Sequence, residues 1–183
     1  GLWHSDDRGR TWQLAYPNPA TVLGMEYVDD ESDPIIKTTG GHALPMHAMA
    51  VDPADSHVLY AAIGDTLSRS VDDGIHWTTV SEGVSASRLF ASRGLVYTAS
   101  GNAVGVSDGK RFTSHALPVS ADQMHDVAFA PPAIYLTTTN GDLRVSRDAG
   151  ETWKTAALAA GVTRFQAIAT SLHHPEVVYA SYY

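Results

Sequence analysis

The sequence predicts an all-β protein. Short runs rich in β-branched and aromatic residues alternate with turn signals, and no segment keeps the 3.6-residue apolar period of a helix. A second observation is a recurring pattern, Ser-x-Asp-x-Gly-x-Thr-Trp, which is complete at residues 5–12 and 146–153. It returns at 70–77 with His76 in place of the threonine, and in a shortened form at 107–112. The third observation is spacing: the last two intervals, 37 and 39 residues, match the length of about 40 residues of one β-propeller blade.

Each repeat divides into four predicted strands, called A to D, with the pattern lying between strands C and D. The predicted strands are 46–51, 58–62, 66–70 and 77–80; 88–91, 95–99, 103–107 and 112–117; and 124–130, 133–138, 143–146 and 153–156. We therefore expect a β-propeller of four-stranded antiparallel blades.

The recurring pattern is explained by the needs of a hairpin turn. Gly9, Gly74 and Gly150 supply a positive φ, and the aspartate two residues earlier accepts hydrogen bonds from turn amides. The serine adds another bond, and the tryptophan is expected to begin strand D and to be buried between sheets. The residues interpreted as structural are Ser5, Asp7, Gly9, Trp12, Ser70, Asp72, Gly74, Trp77, Ser107, Asp108, Phe112, Ser146, Asp148, Gly150 and Trp153.

The pattern resembles the Asp-box, or BNR repeat, of β-propellers such as sialidases, xyloglucanase-type glycosidases and sortilin-type receptors. The resemblance implies that the boxes lie on the face away from the ligand, which is held by the D–A and B–C loops. It also implies an extracellular or periplasmic protein, although no signal peptide is visible in this chain. Sialidase activity is not expected, because the sequence has no Arg-Ile-Pro motif.

The domain prediction is a single propeller domain, or a propeller segment, over residues 1–183. Residues 1–16 contain strands C and D, and residues 165–183 contain strands A and B, so these ends are complementary halves of one blade. Either they complete a propeller of about four blades, or the chain is a segment of a six- to eight-bladed propeller whose remainder is its partner. Residues 21–41 make the first repeat longer than the others, and they predict an inserted β-hairpin or half a blade.

Composition excludes several classes of function. The chain of 183 residues has a formal net charge of −8, which argues against binding to nucleic acids or anionic membranes. No apolar stretch reaches the length of about 18 residues that a membrane span needs. The absence of cysteine excludes disulfides and thiolate chemistry.

Candidate functional residues lie near the predicted ligand face. The catalytic candidates are Asp122 and Asp126, and the candidates for ligand binding are His42, His47, His125 and Tyr182. His47 and His125 both stand at the entry to a strand A. With Asp122 or Asp126 they could bind a divalent metal or act as acid and base. The simpler interpretation, which we favour, is that they are polar positions alternating with buried methionines.

The acidic run at residues 29–33 is a candidate calcium site. Its carboxylates suit Ca²⁺, but its spacing is not that of a calcium loop, so a solvated hairpin end is favoured. No cofactor is predicted beyond a possible divalent cation.

Two functions follow from the resemblance. The first is a carbohydrate-active, glycoside hydrolase-like propeller of xyloglucanase type, or part of one, which binds glycan on the D–A/B–C loop face. The acidic D–A loops would contact the glycan, and the aromatic residues Trp3, Tyr182 and Tyr183 suit sugar stacking. The alternative is a non-catalytic propeller that binds a protein or peptide, as sortilin-type and photosystem-assembly members do. The fold alone does not choose between them.

Overall fold

The computed structural model describes residues 1–27, 34–120, 123–157, 165–171 and 173–182. The chain divides into two compact units, Gly1–Ser85 and Ala86–Tyr183. The described residues of both units form antiparallel β-sheets, and they contain no α-helix. No helix in this part of the chain is long and apolar enough to cross a membrane.

The first unit contains three sheets, β1-β2, β3-β4-β5 and β6-β7-β8-β9, and one 3-10 turn at Pro19–Thr21. The strands are β1 (Leu2–His4), β2 (Gln13–Tyr16), β3 (Val22–Glu26), β4 (Ile35–Thr38), β5 (Gly41–His42), β6 (Met46–Asp52), β7 (Asp55–Ile63), β8 (Thr66–Ser70) and β9 (Thr78–Glu82).

The second unit also contains three sheets, β10-β11-β12-β13, β14-β15-β16-β17 and β18-β19. The strands are β10 (Arg88–Ser92), β11 (Leu95–Ala99), β12 (Ala103–Ser107), β13 (Phe112–Ala116), β14 (Met124–Ala130), β15 (Ala133–Thr138), β16 (Leu143–Ser146), β17 (Lys154–Thr155), β18 (Phe165–Thr170) and β19 (Val178–Tyr182).

The three complete sheets confirm the predicted blades. In each, four successive strands pair as antiparallel neighbours in chain order. Because neighbouring strands run in opposite directions, the A–B turn and the box turn between C and D lie at the same end of a sheet. The B–C connection lies at the other end.

A small core joins two sheets of the first unit. Leu2 and Ala15 from the β1-β2 sheet are buried against Leu59 of β7. Tyr16 and Trp77 close this cluster with an edge-to-face ring contact, their centroids 6.4 Å apart. Apolar residues of β1 and β2 therefore pack this sheet against β6–β9.

The core of the second unit lies between β10–β13 and β14–β17. Ile134 and Leu136 of β15 are fully buried there, and Phe129 of β14 stacks on Phe90 of β10 at 5.9 Å. Two hydrogen bonds connect β14 to β18. Asp126 Oδ2 accepts from the Ile168 amide at 3.1 Å, and Thr170 Oγ1 donates to the Phe129 carbonyl at 2.6 Å.

The insertion forms a three-stranded sheet in which β3 pairs with β4 and β4 pairs with β5. The acidic tip at residues 29–33 lies outside the described residues. The chain ends form two-stranded sheets, β1-β2 and β18-β19. The number of blades, the closure of the two half blades and the choice between a hairpin and half a blade remain predictions.

Candidate functional site

The box turns are built from the same hydrogen bonds in each complete copy. Ser146 Oγ accepts from the Gly150 amide at 2.8 Å and donates to Asp148 Oδ1 at 2.7 Å. Asp148 Oδ1 also accepts from the Thr152 amide at 2.9 Å, and its Oδ2 accepts from Thr152 Oγ1 at 2.5 Å. The equivalent bonds of Ser5, Asp7 and Thr11 measure 2.8–3.0 Å. These carboxylates hold turns together, as the sequence predicts.

The second box shows why histidine replaces threonine. His76 Nδ1 lies 2.6 Å from Asp72 Oδ2, where the other boxes place a threonine hydroxyl. The His76 amide donates to Asp72 Oδ1 at 2.9 Å, so both contacts of the usual threonine are kept. In the shortened copy, Asp108 Oδ1 accepts from the amides of Lys110 and Arg111 at 2.9 and 2.8 Å.

Hydrogen bonds to the charged form lower the pKa of the box aspartates. The pKa of Asp148 falls to about 2, chiefly because the Thr152 side chain and amide donate to it. The pKa of Asp72 also falls to about 2, chiefly because of the His76 amide and side chain. A group held ionised by its own turn is unsuited to proton transfer near neutral pH, which supports a structural role.

We expect stability to fall as the pH drops from about 3.8 toward about 2. The folded pKa values of Asp72 and Asp148 lie below the ordinary value of 3.8, so their contribution is present above pH 3.8 and is lost below it. Urea denaturation at a series of pH values measures this dependence. Asp148→Asn should flatten it, whereas Glu151→Gln, which removes another carboxyl group from the same turn, should not. An unchanged slope in Asp148→Asn would contradict the assignment.

The box tryptophans differ from the prediction. Trp12, Trp77 and Trp153 lie just before their strands, and each indole Nε1 donates to the carbonyl of its own box glycine at 2.7–3.2 Å. Trp77 and Trp153 are half-buried, but Trp12 is 59% exposed. The expectation that all three are buried between sheets is therefore wrong. The indole is held first by its turn, and its burial depends on what packs beside it.

The two candidate histidines lie at matching irregularities. The pairing register shifts at His47 between β6 and β7, and at His125 between β14 and β15, so each is the extra residue of a bulge. Both side chains are exposed. His47 belongs to the first unit and His125 to the second, and their sharing of one opening remains a prediction. The described residues hold no group of three or more potential metal ligands.

Of the two catalytic candidates, the structure describes Asp126. Asp126 Oδ1 accepts from the Val127 amide at 2.9 Å and its Oδ2 from Ile168, so this carboxylate connects two sheets. Asp122 lies outside the described residues. Tyr182 ends β19, and its side chain also lies outside the described part of the chain.

His42 belongs to a charged cluster on the insertion. Its Nε2 lies 3.1 Å from Glu26 Oε2, and Lys37 Nζ lies 3.5 Å from the same oxygen. His42 first, and Lys37 second, lower the pKa of Glu26. The cluster is exposed, and salt screens pairs of this kind. The charged side chains of the insertion thus lie together on one face.

Sequence reasoning missed an apolar stripe on the other face of the insertion. Leu23, Met25 and Tyr27 are 64%, 64% and 67% exposed. Met25 and Glu26 are adjacent in β3, so their side chains lie on opposite sides of the strand, and Tyr27 follows the strand directly. The signal was present in the sequence as alternating apolar residues. Only the structure shows that this face is left uncovered within its unit.

Comparisons with known proteins agree with these observations. A family model for the BNR/Asp-box repeat matches residues 3–14. No curated protein sequence matches the chain. Together with the repeated sheets and turns, this match confirms a β-propeller structure built from Asp-box repeats.

Solved structures resemble the fold at low sequence identity. The GH74 xyloglucanase from Xanthomonas campestris has a TM-score of 0.54 and 16% identity, covering 88% of this chain and 32% of its own. An ancestral GH74 enzyme has a TM-score of 0.52 and 16% identity, covering 94% and 30%. YCF48 bound to D1 peptide has a TM-score of 0.52 and 10% identity, covering 87% and 60%. The chain thus spans less than two thirds of each, and the likeness establishes the fold alone.

Proposed function

We propose that this chain is a binding module that holds an extended peptide or protein segment along β3 of the insertion. The observation that carries the proposal is the exposed stripe of Leu23, Met25 and Tyr27. Contiguous exposed apolar surface on a folded protein commonly marks an interaction site. Met and Tyr are also residue types that are enriched in interfaces.

The position of β3 supports recognition by strand addition. In the described sheet β3 pairs with β4 alone, so its other edge has unpaired amide and carbonyl groups. The register is regular from Gly24 to Glu26, after a shift at Leu23. An added strand would gain main-chain hydrogen bonds at this edge, and its alternate side chains would contact Met25 and Tyr27.

Charge supports the choice of face. Glu26 is the sole charged residue of β3, and it lies on the opposite side of the strand, beside Lys37 and His42. The stripe therefore lacks the charged side chains with which natural proteins protect exposed edges. The insertion also follows strand D of the first box, in the D–A connection that binds ligands in the resembling families. A solved structure of similar fold, YCF48, is in complex with a peptide.

A random-peptide library tests the proposal directly. We expect selection on the wild-type chain to enrich peptides with alternating apolar residues. Met25→Lys should weaken their binding by about tenfold or more, as removal of a central contact residue does. Fluorescence polarisation with a selected, labelled peptide measures the change.

The matched control is Val71→Lys, which adds the same charge at another exposed apolar residue, 59% exposed in the second box. This variant should bind the peptide as the wild type does. Failure to enrich any peptide, or equal binding by Met25→Lys, would refute the assignment.

Glycan recognition is the second candidate, and one observation favours it. Trp3 is 52% exposed and lines a cavity of about 280 Å³ together with His4 and Asp73. An aromatic face beside polar side chains suits a sugar ring. In a separate titration, quenching of tryptophan fluorescence by xyloglucan oligosaccharides, lost in Trp3→Ala, would favour the glycan function over the peptide function.

A further inference from the structure

A cavity of about 340 Å³ lies within the second unit, on the end of the sheets that carries the box turns. Three successive A–B connections surround it: Arg93 in the β10–β11 turn, Pro131 and Pro132 in the β14–β15 turn, and Pro175 after β18. Its volume is at the lower end of the range of about 300–1,000 Å³ for small-molecule sites. None of its lining residues belongs to the β3 stripe.

The interior of the cavity is aromatic. Phe90 and Phe129 stack with their centroids 5.9 Å apart and their planes 19° apart. Tyr97 packs on the same Phe129 ring at 6.0 Å. Leu95 and the prolines complete an apolar wall. This lining favours a flat apolar group over a bare inorganic anion.

The polar group of interest in this wall is the Tyr97 hydroxyl. Tyr97 is only 3% exposed, and burial raises the pKa of its hydroxyl. None of the hydrogen bonds found among the described residues involves that hydroxyl, but it is not a sealed atom, because the fully buried side-chain atom without a partner there is Nε of Arg144. Tyr16, also partly buried, differs because its hydroxyl donates to the Leu44 carbonyl at 3.1 Å. Tyr97 lines the cavity, and its hydroxyl is a hydrogen-bond donor that an acceptor on a ligand can use there.

The mouth of the cavity holds a cation in an unusual backbone position. Arg93 is exposed, and within the described part of the chain no carboxylate pairs with it. Its φ of 51° and the φ of 76° at Gly94 are those of a type I′ turn, where asparagine is the preferred first residue. Arginine is thus a costly choice for the turn itself, and this residue lines the cavity.

We propose that this cavity binds a small organic anion, a carboxylate carried on an aromatic or similarly flat apolar group. The apolar part lies against Phe90, Phe129 and Leu95. The Tyr97 hydroxyl donates to one carboxylate oxygen, and Arg93 supplies the counter-charge and further donors at the mouth.

Isothermal titration with three probes tests the chemical class. We expect 3-phenylpropionate to bind. The neutral 3-phenylpropanamide tests the need for charge, and acetate tests the need for the ring. Each should bind about tenfold or more weakly than 3-phenylpropionate, since each lacks one half of the recognition.

Two variants assign the residues. Arg93→Asn removes the cation but suits a type I′ turn, so thermal stability should be kept or raised while affinity falls by about tenfold or more. Tyr97→Phe keeps the ring and removes the hydroxyl, and it should also weaken binding. Arg111→Asn, the same charge change at an exposed arginine away from the cavity, is the control and should bind as the wild type does.

Several outcomes would overturn the inference. Absence of 3-phenylpropionate binding would refute it, as would unchanged affinity in Arg93→Asn. Equal binding of the amide would show that the cavity is merely apolar. Because none of these variants alters β3, the peptide assay on the same proteins separates failure of this site from failure of the proposed function.

Discussion

Replacing Gly150 with valine is expected to lower the free energy of unfolding by about 4 kcal/mol. Strain accounts for about 1–3 kcal/mol, because Gly150 has a φ of 99° that a β-branched residue adopts poorly. Overpacking adds about 1–3 kcal/mol. A Cβ at this position would collide with Cγ2 of Val104, which is 1% exposed in the core and has little room to move. Urea denaturation followed by tryptophan fluorescence measures the loss.

Gly9 is the matched control because it has the same place in its own box. Its φ is 81°, but a Cβ there would meet only Trp12 ring atoms, at 3.6 and 4.0 Å. Gly9→Val should therefore cost the strain alone, about 1–3 kcal/mol. If both substitutions cost the same, the box turn of the last repeat does not pack on β12 as described.

Most strand boundaries could be predicted because local chemistry determines them. Leu95–Ala99 and Ala103–Ser107 were predicted residue by residue, since Gly94 and Gly101 mark turns on either side of the first strand. The box turns were also predictable, because each is closed by bonds among residues at most four positions apart. Hydrogen bonds that form within a single turn can be predicted from one short sequence pattern.

Other features depend on tertiary neighbours and could not be read in this way. Trp12 and Trp77 share one pattern, yet Trp77 packs against Tyr16 whereas Trp12 is exposed. In the box, Arg8, Asp73 and Ala149 also have positive φ, although the pattern places the glycine only after them. The bulges at His47 and His125 arise from strand pairing, and no motif marks them. The cavity beside Arg93 is formed by three separate turns, so no single stretch of sequence predicts it.

Phe129→Ala is expected to lower the free energy of unfolding by about 3–5 kcal/mol, a loss comparable to that of the glycine substitution. Phe129 is 5% exposed and contacts the rings of both Phe90 and Tyr97, so it joins β14 to β10 and β11. Its removal takes apolar area from the core and also enlarges the neighbouring cavity. Equilibrium urea denaturation measures the combined loss.

Phe129→Leu separates the two contributions. Leucine keeps most of the buried volume but makes no ring pairs, so a loss of about 1–2 kcal/mol is expected. If leucine proves as damaging as alanine, ring geometry rather than buried volume holds these two sheets together. If alanine costs less than about 1 kcal/mol, the neighbouring side chains collapse into the vacated space. In that case β10 and β14 are joined more weakly than the aromatic stack implies.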